Sequence, residues 1–256
     1  MQEILIHSFI HILMFILIVY FIALVKKDNS IVYIAWGIGF IIVAFTSLFI
    51  SQIYFQQNLL INAITLIWGL RLAIYIFIRH HGKAEDYRYK EMRDSWGNNA
   101  ALMSLLKVFL PQAIVMFIIT MPVMISNSFP ENELGWIEIL GALIWLKGFF
   151  FEAVGDAQMY RYKKNPAHKG KVMKFGLWKF TRHPNYFGEV IMWWGIFLIA
   201  APSGYWYLSL LSPVVITLLI IKVTGVELLE KKYKDNAEYQ DYIRKTSSFI
   251  PWFPKK

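Results

Sequence analysis

The chain contains no cysteine, so disulfides, thiolate metal sites and cysteine nucleophiles are excluded together. Three of the loops between its apolar runs hold no lysine or arginine, although the chain has 26 basic residues against 17 acidic ones and a net charge of +9. The stretch from Ala157 to Gly188 holds no acid at all. No internal repeat or low-complexity segment is present. No small-x-x-x-small stripe stands out to mark a helix interface. No nucleic-acid-binding module is recognisable, and in this context the positive charge is better explained by loops lying against anionic lipid than by nucleic acid.

What is present is apolar: 57% of 256 residues, with a mean hydropathy of +0.45. Seven apolar stretches run over residues 4–25, 31–53, 59–78, 101–125, 134–154, 186–201 and 205–226, followed by a tail at 227–256. Stretches of that order cross a hydrocarbon core about 30 Å thick. In lipid the backbone must satisfy its own hydrogen bonds, which makes each one a helix. The first stretch lacks a basic leader and a small-residue cleavage site and is followed by Lys26-Lys27, so it reads as a span and not a signal peptide. Basic residues follow the first, third, fifth and seventh stretches. They include Arg79, Lys83 and Arg88, then Arg161 to Arg182, then Lys231 to Lys256. The loops Gln56-Gln57-Asn58, Ser126 to Glu133 with Pro130, and Ala201 to Gly204 have none. Basic loops resist translocation. The expected architecture is therefore an all-α integral membrane protein: a single domain over 1–256, a seven-transmembrane-helix bundle with its N-terminus outside and its C-terminus cytoplasmic. Pro111, Pro122 and Pro213 fall inside spans and are expected to bend them.

The densest chemical segment is Arg182-His183-Pro184-Asn185-Tyr186-Phe187-Gly188-Glu189. Asn185 and Glu189 are four apart and share a helix face, and the helix start offers backbone N–H groups and a positive dipole end to an anion. Interfacial anchoring accounts for Arg182 and Tyr186. It does not account for Glu189, one turn into an apolar helix, where a carboxylate is costly. Arg71, inside Trp68-Gly-Leu-Arg71, is a second charge at membrane depth, with Tyr75 one turn later; snorkelling and a cavity-facing role both fit it. Glu152, Asp156, Tyr160, Arg161 and Lys163 form a third group, on a fifth helix expected to continue beyond the bilayer. The adjacent His80 and His81 lack the i, i+4 spacing of a helical zinc site, and no metal is expected.

With Trp36-Gly37-Ile-Gly39-Phe40, Trp68-Gly-Leu-Arg71 and Phe249-Ile-Pro-Trp-Phe253, the Arg182–Glu189 segment resembles bacterial members of the steroid 5-alpha-reductase family over nearly the whole chain. The resemblance implies a seven-helix membrane fold and NADPH-dependent reduction of a carbon–carbon double bond conjugated to a ketone. It implies that Asn185 and Glu189 hold the nicotinamide end, that Asp156 contacts the cofactor, and that Lys163, Lys171 and Lys83 stand where the family has arginines near phosphate. His80 takes a position usually asparagine, and Tyr233 matches a cofactor-facing tyrosine. Arg182, His183, Tyr186 and Arg161 complete the expected cofactor set. The family's Gln-Glu pair after the second-helix tryptophan is absent here, so Tyr75 is the expected proton donor and Arg71 the cation beside it. The expected substrate is apolar and arrives from the bilayer, with no obligate protein partner.

Isoprenylcysteine and phospholipid methyltransferases share the Arg-His-Pro-x-Tyr signature. In that alternative Glu227, Glu230, Tyr239 and Tyr242 surround S-adenosylmethionine. A third possibility is a non-catalytic lipid-binding protein. The basic loop favours NADPH, which carries three phosphates where S-adenosylmethionine has none.

Overall fold

A computed structural model describes residues 1–129 and 133–255, with the backbone alone at Thr224 and Lys232. Pro130 of the expected outward loop and Lys256 of the tail lie outside the described residues. In chain order the longer elements are α1 (Gln2–Lys26), α2 (Val32–Ser51), α3 (Gln56–His80), α4 (Tyr87–Trp96), α5 (Ala100–Ser104), α6 (Leu110–Ile119), α7 (Met121–Ser128), α8 (Trp136–Lys164), α9 (Pro184–Ala200), α10 (Trp206–Ser209), α11 (Leu211–Leu218), α12 (Val226–Lys232) and α13 (Ala237–Lys245). No strand occurs among the described residues. Among the described residues six segments are long and apolar enough to cross a membrane: Gln2–Lys26, Asn29–Ser51, Gln56–His80, Tyr87–Ile119, Pro184–Ser203 and Trp206–Lys231. This is a multi-pass membrane protein. The fifth expected span corresponds to α8, which has the length but carries Glu138, Lys147 and Glu152 along its apolar part and is not among the six.

The chain divides into two compact units, Met1–Gly135 with Ala200–Ser212, and Trp136–Ile199 with Pro213–Lys256. In the first, α1 is apolar all round but two-faced in its contacts. Ile4, Ser8, Ile12, Ile16, Val19 and Ala23 are buried; Ile10, Met14, Ile18, Phe21 and Val25 are exposed, as a lipid-facing surface requires. Helices α2 and α3 touch at Gly37 and Gly69, where a Cβ on Gly37 would sit 2.2 Å from the Gly69 carbonyl oxygen. Beside that contact Phe40 and Trp68 meet edge to face, with ring centroids 5.1 Å apart.

Gln57 and Asn58, expected in a loop, belong instead to the first turns of α3 and are fully buried. Asn62 Nδ2 donates to Asn127 Oδ1 at 2.8 Å, Asn127 Nδ2 to Ser47 Oγ at 2.8 Å, and Asn58 Nδ2 to the Ser126 carbonyl at 2.7 Å. Polar side chains in an apolar surround find one another because no water competes, and this network ties α2, α3 and α7 together. The fourth expected span is broken where its prolines fall. Pro111 opens α6 after a π-helical turn at Leu105–Phe109, and Pro122 opens α7 after Thr120. A proline has no N–H for the preceding turn but suits a first helical turn. The Ser212 hydroxyl donates to the Ile119 carbonyl at 2.6 Å, satisfying a group beside this break.

In the second unit α8 and α9 run against each other along glycines spaced by seven. Gly141 faces Gly195 and Gly148 faces Gly188, and Gly155 meets Pro184 and Asn185. The absent side chains let the backbones approach closely, as small residues do in membrane helix pairs. The same face of α8 carries Glu152 and Asp156, 2% and 4% exposed.

Candidate functional site

The close α8–α9 contact sets acids on one helix against the start of the other. Asn185, in the first turn of α9, donates from Nδ2 to Asp156 Oδ1 at 3.1 Å. Glu189 follows one turn later on the same face and is half-buried. An amide whose N–H is held by a buried carboxylate presents a fixed donor and acceptor pair, which suits recognition of another amide. Glu152, Asp156 and Glu189 all fall at this end of the helix pair, so the locality also favours a group that donates protons or carries positive charge. Arg161, Lys163 and Lys171 lie on the exposed end of α8 and the loop beyond it.

The residues just before α9 behave otherwise. Arg182, one of the expected cofactor residues, turns into the tail: Nε and Nη2 donate to Glu230 Oε1 at 2.9 and 2.7 Å, and Nη1 donates to the carbonyls of Ile243 and Thr246. Those carbonyls belong to the C-terminal end of α13, where a cation is electrostatically favoured. His183 Nε2 lies 3.3 Å from the same Glu230 oxygen, and its ring stacks on Tyr186 with centroids 5.5 Å apart. Ser248 Oγ donates to that oxygen at 3.3 Å. The Arg-His-Pro-Asn-Tyr corner is thus two devices. Arg182 and His183 fasten the tail, and Asn185 faces α8.

The tail core completes the fastening. Trp178 Nε1 donates to the Gly155 carbonyl at 3.0 Å, and the Tyr242 hydroxyl donates to the carbonyl of Trp178. Burial, aided by the nearby Glu230 charge, pushes the Tyr239 phenol up to about 12, and burial raises that of Tyr242 as well. On the outer side Lys174 Nζ sits 2.9 Å from Glu238 and holds that carboxyl below the usual carboxylate range. Tyr233 is exposed and packs on Tyr239, ring centroids 4.9 Å apart.

Four expected site residues belong to the first unit. Tyr75 is flanked by two guanidinium groups, with Arg71 Cζ 5.2 Å and Arg79 Cζ 5.5 Å from its ring centroid. That spacing is within cation–π range. His80 Nε2 lies 2.8 Å from Ser30 Oγ and 3.7 Å from Asp28 Oδ2. It joins the turn after α1 to the end of α3. Lys83 is exposed, just beyond Gly82, whose φ of 73° turns the chain out of the helix. The neighbouring Asp86 carboxyl is held below its ordinary range by the bidentate Arg88 guanidinium.

In the sequence Glu230 stands only as a ligand of the methyltransferase alternative, not as the partner of Arg182. The signal was the surplus of acids at 227 and 230 in an otherwise basic tail. Ser248, Trp178 and Asp28 gave no comparable signal.

These observations define a polytopic helical membrane protein with an amide–carboxylate site at a helix start and a basic loop beside it. The chain matches, over residues 19–246, the family described as protein of unknown function (DUF1295), and it belongs to that family. No curated protein and no solved structure matches it.

Proposed function

We propose that the protein is a membrane-embedded reductase that takes NADPH and reduces a carbon–carbon double bond conjugated to a ketone in an apolar substrate, steroid-like, sterol or another lipid, that enters from the bilayer. The observation that carries this reading is the Asn185–Asp156 pair, 3.1 Å across the α8–α9 contact. It stands on a unit whose Ala157–Gly188 segment exposes Arg161, Lys163 and Lys171 and contains no acid. Bound there, NADPH would supply the hydride. Asn185 and Glu189 suit a carboxamide, which both donates and accepts. Arg161, Lys163 and Lys171 suit phosphates as point charges without the bidentate fork of arginine at the two lysines. Arg182, His183 and Tyr186 act at one remove by fixing the corner. Tyr75, with Arg71 beside it, is the proposed proton donor to the substrate oxygen.

The same reading takes α8 as a seventh crossing. Glu138 and Glu152 are buried against protein and so need not face lipid. The alternating basic loops then set the N-terminus outside and the C-terminus in the cytoplasm, in the inner membrane of a bacterium. The methyltransferase alternative draws on one observation. Glu227 and Glu230 line a cleft of about 310 Å³ together with Lys231, Lys234, Gln240 and Ile243. Against it, Glu230 is engaged by Arg182, and Tyr239 and Tyr242 are buried in the tail core.

Purified protein should quench or shift NADPH fluorescence, and Asn185→Ala or Glu189→Ala should abolish the effect in protein that keeps the parent's helix content by circular dichroism. NADPH affinity should fall with salt more steeply than NADH affinity, because the 2′-phosphate adds charge to be screened. Undiminished NADPH binding by both variants contradicts the assignment.

A further inference from the structure

The residues after α13 form a strap that the proposed cofactor site does not use. Its backbone is pinned at three points: the Arg182 N–H donates to the Ser247 carbonyl at 2.9 Å, the Trp252 N–H to the Phe180 carbonyl at 2.9 Å and the Lys255 N–H to the Lys245 carbonyl at 2.8 Å. The Thr181 hydroxyl adds contacts to the carbonyls of Ser248 and Phe249. A backbone held this way fixes which side chains turn outward. Ile250, Trp252 and Phe253 do so, at 65, 70 and 76% exposure. A rigid apolar ledge of this kind marks an interaction surface.

Its position says what covers it. Phe249 packs on Phe187, ring centroids 5.8 Å apart, and Phe187 lies in the first turn of α9, where a membrane-crossing segment begins. Phe253 packs on Phe180, centroids 6.1 Å apart. The ledge therefore sits at the level where α9 enters hydrocarbon. Around it Lys179, Arg244, Lys245 and Lys255 are exposed, and Asp241 pairs with both Arg244 and Lys245 at 3.2 Å. Tryptophan and phenylalanine beside a net positive rim are the composition of a headgroup-level anchor.

We propose that this strap docks on the anionic headgroup layer of the leaflet that α9 enters, with Trp252 and Phe253 in the interfacial zone and Lys179, Lys245 and Lys255 on lipid phosphates. Because the chain has no native cysteine, Trp252→Cys and, separately, Phe253→Cys take a nitroxide label without background. Lys234→Cys, on an exposed residue between α12 and α13, serves as the aqueous reference. In nanodiscs of phosphatidylcholine with phosphatidylglycerol, labels at 252 and 253 should be several-fold more accessible to oxygen than to a polar nickel reagent, with the reverse at 234. Pure phosphatidylcholine, or the double variant Lys179→Glu/Lys255→Glu, should move the two labels toward the aqueous pattern. A water-like pattern at 252 and 253 in the mixed lipid overturns the proposal. So does shielding from both reagents, which would indicate a protein partner, and so does a lipid pattern indifferent to lipid charge and to the lysines.

Discussion

Replacing Arg182 with alanine is expected to release the C-terminal tail from the rest of its unit. The side chain is 7% exposed, and its donors reach Glu230 and two carbonyls at the end of α13. Removing one partner of a buried ion pair costs about 3–5 kcal/mol, because the remaining charge has lost its compensation. Glu230 keeps His183 and Ser248 and is itself partly open, which puts the expected cost near the low end, about 3 kcal/mol. Hydrogen exchange should show protection falling across residues 226–255 while the first unit is unchanged. Arg182→Lys keeps the charge but cannot span Glu230 and the α13 carbonyls together, so it should fall between parent and alanine. Unaltered tail protection in Arg182→Ala would mean that the corner is not what fastens the tail.

A single methyl group at Gly188 should have an effect of similar size for a different reason. A Cβ there would lie 2.4 Å from the Glu152 backbone nitrogen and 2.5 Å from the Gly148 carbonyl oxygen. Those atoms belong to a helix backbone and cannot swing aside, so α8 and α9 must separate. Overpacking of this kind costs about 1–3 kcal/mol or more, and separation would also pull Asp156 away from Asn185. Gly188→Ala and Gly148→Ala should both lower the unfolding temperature strongly. Gly155→Ala should be mild, since its nearest contacts are 3.2–3.4 Å away and begin with a proline side chain. Equal tolerance of all three would contradict the close helix contact.

The helical, membrane-crossing character of the chain was legible because runs of apolar residues long enough to cross a bilayer have few other fates. Helix ends were less so. Gln57 and Asn58 look like loop residues until Ser126 and Asn127 on α7 and Ser203 beyond α9 are seen to accept from their side-chain amides. Such pairing depends on residues distant in sequence and leaves no local pattern. The glycines of α8 and α9 leave no four-residue pattern because they recur every seven residues on helices facing each other. Asn185 stands out in the sequence as a polar residue at a helix start beside an ionisable one, and the fold brings Asp156 to it from the neighbouring helix. Arg182 was harder. An arginine at a helix start suits an anion equally well whether that anion is a ligand or a glutamate of the same chain, and only the fold brings Glu230 to it.

The central claim concerns which cofactor the unit built on α8 and α9 takes. One detergent-purified preparation should be titrated calorimetrically with NADPH and, separately, with S-adenosylmethionine. Saturable binding of NADPH, lost in Asn185→Ala, with no heat from S-adenosylmethionine is the predicted result; binding of S-adenosylmethionine alone would contradict it.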